Sequence, residues 1–298
     1  MAKETKKSRW RELEQQLTYR PRPVWSDWDD RRKRAATAYA ADYRAFLDRA
    51  KTERLCVQQA VKLARAAGFA DFAGGGGRGA GKKYFFVQKQ RALALLVTGK
   101  RPLTDGMNIV AAHIDAPRLD LKVRPLFEDS GVAVLRTHYY GGIKKYQWMN
   151  VPLALHGVAV RGDGTTVTLA VGDRAGDPQF TIPDLEPHLA YKRQNEKKLR
   201  EAVTGEEMLI LAGAEPVGDD ETRQKLKLGV LRHLHREYGL TEADLIGADL
   251  SAVPATKTAE VGFDRLLVGG YGQDDRACAY AALRALLDGT TSAHIALV

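Results

Sequence analysis

Two short segments hold the residues whose types and spacing could do chemistry. The first is Ala112-His113-Ile114-Asp115-Ala116-Pro117-Arg118. His and Asp alternate on an extended segment, so both side chains project to one face. An imidazole binds a metal ion through one ring nitrogen while a nearby carboxylate orients it through the other. A hydrogen-bonded strand end uses the same two residues, so His-x-Asp alone does not decide between them. The second segment is Gly272-Gln273-Asp274-Asp275-Arg276, at the entrance to a helix. Adjacent carboxylates are costly unless a cation sits between or beside them. One carboxylate bridging two metal ions is a standard part of hydrolytic dinuclear sites. The alternative is a helix cap, in which Asp274 or Asp275 accepts backbone N–H bonds and favours the helix dipole.

Other candidates carry less. Glu206-Glu207 reads as a solvated face. His233 and His235 stand two apart on an expected helix and so face different directions. His294 reads as structural. Gly74 to Gly81 holds six glycines in eight residues, without the Lys-Ser/Thr of a phosphate loop, and reads as a flexible loop.

The elements around these segments follow from pattern. Tyr39, Tyr43, Phe46 and Leu47 recur at helical spacing, with Ser26 and Asp29 as a capping pair. Leu55 to Ala67 continues as helix, and Gly68 stops it. Tyr84 to Val87 and Arg91 to Thr98 read as strands. Asn108 to Ala112 reads as a buried strand that delivers His113 to its end. From Val123 to about Pro254 alternating runs predict antiparallel strands, with Gly162-Asp163-Gly164 as a hairpin turn between Val158-Ala159-Val160 and Val167-Thr168-Leu169. Pro183 to Glu207 is polar, a loop or short helix. Leu226 to Tyr238 and Arg276 to Leu287 read as helices, and Ile295 to Val298 as a buried strand.

The bulk properties set bounds. The chain has 298 residues, 44% of them hydrophobic, enough for a buried core in one or two domains. No run reaches the roughly 18 apolar residues of a membrane helix. The lysine-rich Met1 to Trp10 has no apolar core behind it and is no secretory signal. Two cysteines, Cys56 and Cys278, read as buried free thiols in a reducing cytoplasm. The net charge is +9, but it is spread over many faces without interleaved aromatics, which argues against a nucleic-acid platform.

Three long motifs together resemble one family. They are Asn108 to Lys122, the run His138-Tyr139-Tyr140-Gly141-Gly142-Ile143-Lys144-Lys145-Tyr146-Gln147-Trp148 with Pro152 to Gly157, and Tyr271-Gly272-Gln273-Asp274-Asp275-Arg276-Ala277-Cys278-Ala279-Tyr280. They are similar to the M18 metalloaminopeptidases, the aspartyl-aminopeptidase group, and the likeness covers nearly the whole chain after the N-terminal helices. The resemblance implies an α/β fold, a zinc-aminopeptidase-type mixed sheet flanked by helices. A β-rich dimerisation domain at 123–255 would interrupt a catalytic domain made of 1–122 and 256–298. It implies two zinc ions, with cobalt or manganese as substitutes. His113 would be a ligand of one zinc, Asp115 its orienting carboxylate, and Asp274 the bridge between both. His188 would be a catalytic loop histidine that reaches a neighbouring subunit's site. Peptides would lose their N-terminal residue, and the enzyme would assemble from dimers into dodecamers. Acidic N-terminal residues would be one substrate class, which Lys144, Lys145 and Arg276 could attract, although plain surface lysines fit the same positions.

Similar enzymes continue beyond the strand at Ile295 to Val298 into an Asp-Lys-Glu-Glu-type segment. That segment holds the general-base glutamate and a zinc ligand, and a later aspartate and histidine complete the sites. None of these is matched here. The expectation is therefore a C-terminally truncated member, with an incomplete catalytic domain. The alternative is a non-catalytic assembly or regulatory subunit that pairs through the inserted domain.

Overall fold

The computed structural model describes residues 9–72, 79–289 and 295–297, and of Ile295 only the backbone. Most of the glycine-rich stretch, Ala73 to Arg78, and His294 lie outside these residues. The chain forms two compact units, Met1–Asp42 and Tyr43–Val298. In the first, α1 (Arg9–Leu17) and α2 (Val24–Asp27) precede the start of α3 (Asp30–Arg49). The cap of α3 is Asp29 alone, whose Oδ1 accepts the Arg32 amide at 2.8 Å. Ser26, expected as the capping partner, lies inside α2 instead. The short carboxylate next to the first turn outcompetes a hydroxyl one turn away.

The second unit holds two sheets. α4 (Glu53–Ala66) starts at Thr52, whose hydroxyl accepts the Leu55 amide at 3.4 Å, and Gly68 follows it in the left-handed region with φ +84°. The first sheet comprises β1 (Ala70–Asp71), β2 (Lys83–Gln88), β3 (Ala92–Val97), β4 (Asn108–Val110) and β13 (Ile295–Leu297), in the order β1-β2-β3-β13-β4. Its pairing is mixed: β13 runs antiparallel to β3 and parallel to β4. Phe46, Leu47, Phe85, Leu95, Tyr280, Leu283 and Leu297 pack together on it, drawn from α3, from three strands and from α8 (Gln273–Asp288).

β4 corrects one expectation. It forms a strand but is not buried: Ile109 and Val110 are 62% and 46% exposed. The physical reason is position. β4 is at the edge of its sheet, with β13 on one side, so apolar sequence alone does not guarantee cover.

The second sheet has six strands: β5 (Arg118–Asp129), β6 (Val132–Tyr140), β7 (Leu153–Val160), β8 (Thr166–Val171), β9 (Leu209–Gly213) and β10 (Asp249–Pro254). Every pairing in its order, β8-β7-β10-β5-β6-β9, is antiparallel. The β7–β8 hairpin closes at the anticipated turn, with Val160 opposite Thr166 and the Thr165 amide on Asp163 Oδ1 at 2.8 Å. Leu119, Leu153, Ile182, Met208, Ile210 and Leu240 are fully buried in its core. Each such side chain stabilises the sheet by roughly 1.5–3 kcal/mol relative to exposure. α5 (Pro187–Ala190), a π-helical turn (Tyr191–Asn195) and α6 (Leu199–Ala202) occupy the polar stretch, and α7 (Lys225–Tyr238) packs on β5, β6 and β9. β5 carries the chain across the anticipated junction at 122/123 without a break. A two-stranded ribbon, β11 (Ala259–Val261) with β12 (Leu267–Gly269), leads into α8. No helix among the described residues is long and apolar enough to cross a membrane.

Candidate metal centre

β4 ends at Val110, and the chain then runs without regular structure until β5 begins at Arg118. His113 and Asp115 lie on this extended link, and their side chains meet: Nδ1 of His113 is 3.0 Å from Oδ1 of Asp115. Tyr140, at the end of β6, donates its hydroxyl to the other oxygen, Oδ2, at 3.0 Å. Asp115 is therefore held at both oxygens, and it in turn fixes the His113 ring. That leaves Nε2 as the free, outward nitrogen, the arrangement metal-binding histidines adopt.

The second segment arrives from α8. Asp274 (φ −93°, ψ 109°) and Asp275 (φ −115°, ψ 29°) are not helical, and the peptide between them is cis. No side-chain cap bond forms at the helix start. The helix-cap alternative for the acidic pair thus finds no support among the described residues. Their carboxylates face His113 instead: Nε2 is 3.6 Å from Asp274 Oδ1 and 3.8 Å from Asp275 Oδ2.

The same segment grips the link that carries His113. Tyr271 Oη donates to the Pro117 carbonyl at 2.9 Å. Arg276 Nε donates to the Ile114 carbonyl at 3.0 Å, and its Nη2 to the Lys51 carbonyl at 3.2 Å. These bonds bracket His113 and Asp115 from the backbone side. Arg276 is only 1% exposed, so it holds the link in place and is not available to an acidic substrate side chain. The expectation of such a contact is corrected for this residue. Arg118 fastens the far end, pairing with Glu53 and Asp120 at 2.7 Å each and lying over the Tyr140 ring at 4.2 Å.

The electrostatics follow. Desolvation disfavours the His113 imidazolium. The Asp115 hydrogen bond and the charges of Asp115, Asp275 and Asp274 outweigh it, and His113 titrates above its usual value. Burial would raise Asp115, but the bonds from Tyr140 and His113 hold its carboxyl below the usual range. Beside the pair opens a cavity of about 370 Å³, walled largely by Phe46, Val57, Leu93, Leu95 and Leu283.

The donors suit zinc in kind. Two ligands of one tetrahedral zinc, each about 2.0–2.1 Å from it, stand roughly 3.3 Å apart, close to the 3.6 Å between His113 and Asp274. They do not suffice in number: among the described residues no group of three or more His, Cys, Asp or Glu converges as a metal shell.

The remaining candidates lie elsewhere. His188 stands exposed on α5 and makes no hydrogen bond or ion pair with the His113 cluster among the described residues. Glu206 pairs with Lys122 at 3.1 Å, and Glu207 accepts the Thr204 amide at 2.7 Å. His233 and His235 are exposed on α7. Sequence reasoning passed over Tyr140 and Tyr271 as working residues. Both sit inside the quoted motifs, but their acceptors are 25 and 154 residues away in the chain, and no local spacing reports that.

Comparison with known proteins shows the family. The family model described as aminopeptidase I zinc metalloprotease (M18) matches residues 46–296. A probable M18 family aminopeptidase 1 of Clostridium acetobutylicum is 43% identical over 269 residues, which is 89% of this chain and 58% of that protein. The crystal structure of the M18 aminopeptidase of Thermotoga maritima superposes with a TM-score of 0.88 at 39% identity, covering 94% of this chain and 60% of the other. The S. cerevisiae mApe1 dodecamer shares the fold at 19% identity, with a TM-score of 0.63 over 87% of this chain and 59% of that one. The chain spans less than two thirds of the length of these relatives. A match over most of its residues, with the acidic pair of α8 turned onto His113, makes this chain a member of the M18 family of zinc metalloaminopeptidases.

Proposed function

We propose that this chain contributes His113 and Asp274 to a dinuclear zinc site that hydrolyses the N-terminal peptide bond of peptides. The observation that carries this reading is the free Nε2 of His113 aimed at Asp274 and Asp275 while Asp115 holds Nδ1. Zinc, when bound, supplies a Lewis acid for the scissile carbonyl and acidifies a bound water to a pKa of about 7. In this reading Asp115 keeps the His113 ring oriented and its Nδ1 protonated. Asp274 would help to hold both ions, and Asp275 would place a second carboxylate beside the first. Tyr271 and Arg276 hold the backbone of the His113 link against movement. Two zinc sites need roughly three or more protein ligands each, so the pair identified here is part of a shell.

The boundaries 1–122, 123–255 and 256–298 remain our reading of the catalytic and inserted parts. Self-assembly is supported by the fold shared with the S. cerevisiae dodecamer, and His188 is the residue we assign to a neighbouring subunit's site. A reducing cytoplasm fits the two free thiols. Family membership supports the enzyme over a purely structural subunit. The test is zinc content and hydrolysis of a panel of aminoacyl substrates, with added zinc or cobalt, beside Asp274→Ala. Bound zinc and turnover that both vanish in Asp274→Ala would support the reading. A chain that holds no zinc and turns over no substrate would overturn it for this polypeptide.

A further inference from the structure

A second cavity, of about 430 Å³, opens between the turn at Ile143 to Tyr146 and the start of α6. Its walls are Lys144, Lys145, Lys198 and Arg200, with Ile143, Tyr146 and Leu199 between them. Four cations and no acidic side chain line it. That volume lies within the range of small-ligand sites, roughly 300–1,000 Å³.

Part of this cavity is built rather than incidental. Lys145 Nζ donates to the Arg200 carbonyl at 3.3 Å and lies 5.6 Å from the centroid of the Tyr139 ring. The bond joins the two walls and holds one ammonium in place. Among the described residues, Arg200 is the one lining cation with an ion pair, to Glu201 at 3.3 Å. Tyr139 and Tyr140 are consecutive on β6 and project to opposite faces: Tyr140 serves Asp115, and Tyr139 lies under Lys145. The cavity is therefore distinct from the metal centre. Like charges brought this close raise the local potential for an anion.

We propose that this cavity binds a carboxylate-rich peptide segment. Three lysines are separate ammonium charges on flexible stems, which suit carboxylates spaced along a chain better than one planar anion. The apolar side chains of Ile143 and Leu199 in the lining would pack against the methylene groups of glutamate side chains. A nucleic acid would want several stacking rings, and Tyr146 is the single aromatic of the lining.

The experiment uses the full chain and a fluorescein-labelled hexaglutamate peptide, followed by anisotropy at about 0.15 M salt, where the screening length is about 8 Å. Hexaglutamine, inorganic phosphate and a short single-stranded DNA serve as competitors. We expect hexaglutamine and phosphate not to compete. We also expect Lys144→Glu with Lys198→Glu to weaken binding by about ten-fold or more, as loss of a specific charge contact does. Lys62→Glu with Lys100→Glu makes the same change in net charge at other exposed positions and is expected to stay within about two-fold of the parent. Equal weakening in both pairs would overturn the proposal, because bulk charge alone would explain it. So would tighter binding of the DNA through the same lysines, or self-association through them without peptide binding. None of these outcomes depends on zinc or turnover, so they are separate from the test of the hydrolytic reading.

Discussion

At the scale of single residues, the candidate centre is a chain of dependencies. Tyr140 and His113 both hold Asp115, Asp115 sets the ring of His113, and the ring faces Asp274. Orienting carboxylates of this kind typically contribute 10–100-fold to metal affinity. Asp115→Ala is therefore expected to weaken zinc binding by about that factor while leaving His113, the proposed ligand, in place, measured by equilibrium dialysis against a competing chelator. The cysteines separate just as sharply. Cys56 is buried on α4, and desolvation pushes its thiol up to about 11. Cys278 was also read as buried, but it is exposed beside the acidic pair of α8, and the hydrogen bond to Asp275 and the nearby carboxylate charges raise its thiol above the usual value. An aromatic disulfide reagent should titrate one thiol in the native protein and two after denaturation. Cys278→Ser should abolish the native reaction, and a fast signal remaining in that variant would contradict the burial of Cys56.

At the scale of elements, the helices position the chemistry and the strands deliver it. α4 begins at Thr52, next to Lys51, whose ammonium is surrounded by the carbonyls of Pro254 and Ala255 at 3.0 and 2.9 Å. The Lys51 carbonyl receives Arg276. The junction of α3 and α4 thus ties the end of β10 to the start of α8. Loss of the Thr52 cap in Thr52→Ala is expected to cost about 1 kcal/mol, within the usual range of roughly 0.5–2 for such caps. The midpoint of urea unfolding would report it, and an unchanged midpoint would show that the cap bond carries no net stability. Pattern recovered most of these elements because periodicity follows directly from which face is buried. It did not recover the exposure of β4 or the true cap of α3, since both depend on what lies beside the element.

At the scale of the whole molecule, a buried polar cluster ties the six-stranded sheet to the junction of α3 and α4. His156 on β7 is 5% exposed, its Nε2 3.0 Å from Asp173 Oδ2, and its Nδ1 has no hydrogen-bond partner among the described residues. Lys51 approaches the same carboxylate at 3.8 Å. Burial lowers His156, with Lys51 and Arg174 acting in the same direction and Asp173 opposing them. The folded pKa lies below the unfolded value of about 6.5, so the unfolded chain binds the extra proton first. The associated stability is complete above about pH 6.5 and is lost as pH falls from there through the folded pKa. Urea unfolding between pH 8 and pH 5, set against His156→Gln, checks this. The parent should weaken across about that window more steeply than the variant, and parallel curves would rule out His156 as the cause.

The sequence by itself determined the family, most of the secondary-structure plan and the two segments that meet at the candidate centre. Those features are written in residue type and short-range spacing: a His-x-Asp on an extended run, an acidic pair before a helix, alternation in the strands. Only the tertiary structure decided which residues hold those segments together. Arg276 reads from the sequence as a cation that could attract acidic side chains, and its two backbone acceptors, 162 and 225 residues away, make it a buried brace instead. The cation-lined cavity likewise joins Lys144 and Lys145 to Lys198 and Arg200, across a stretch of chain whose return path no local pattern encodes. Long-range contacts are set by how complete elements pack, and packing is a property of the folded whole.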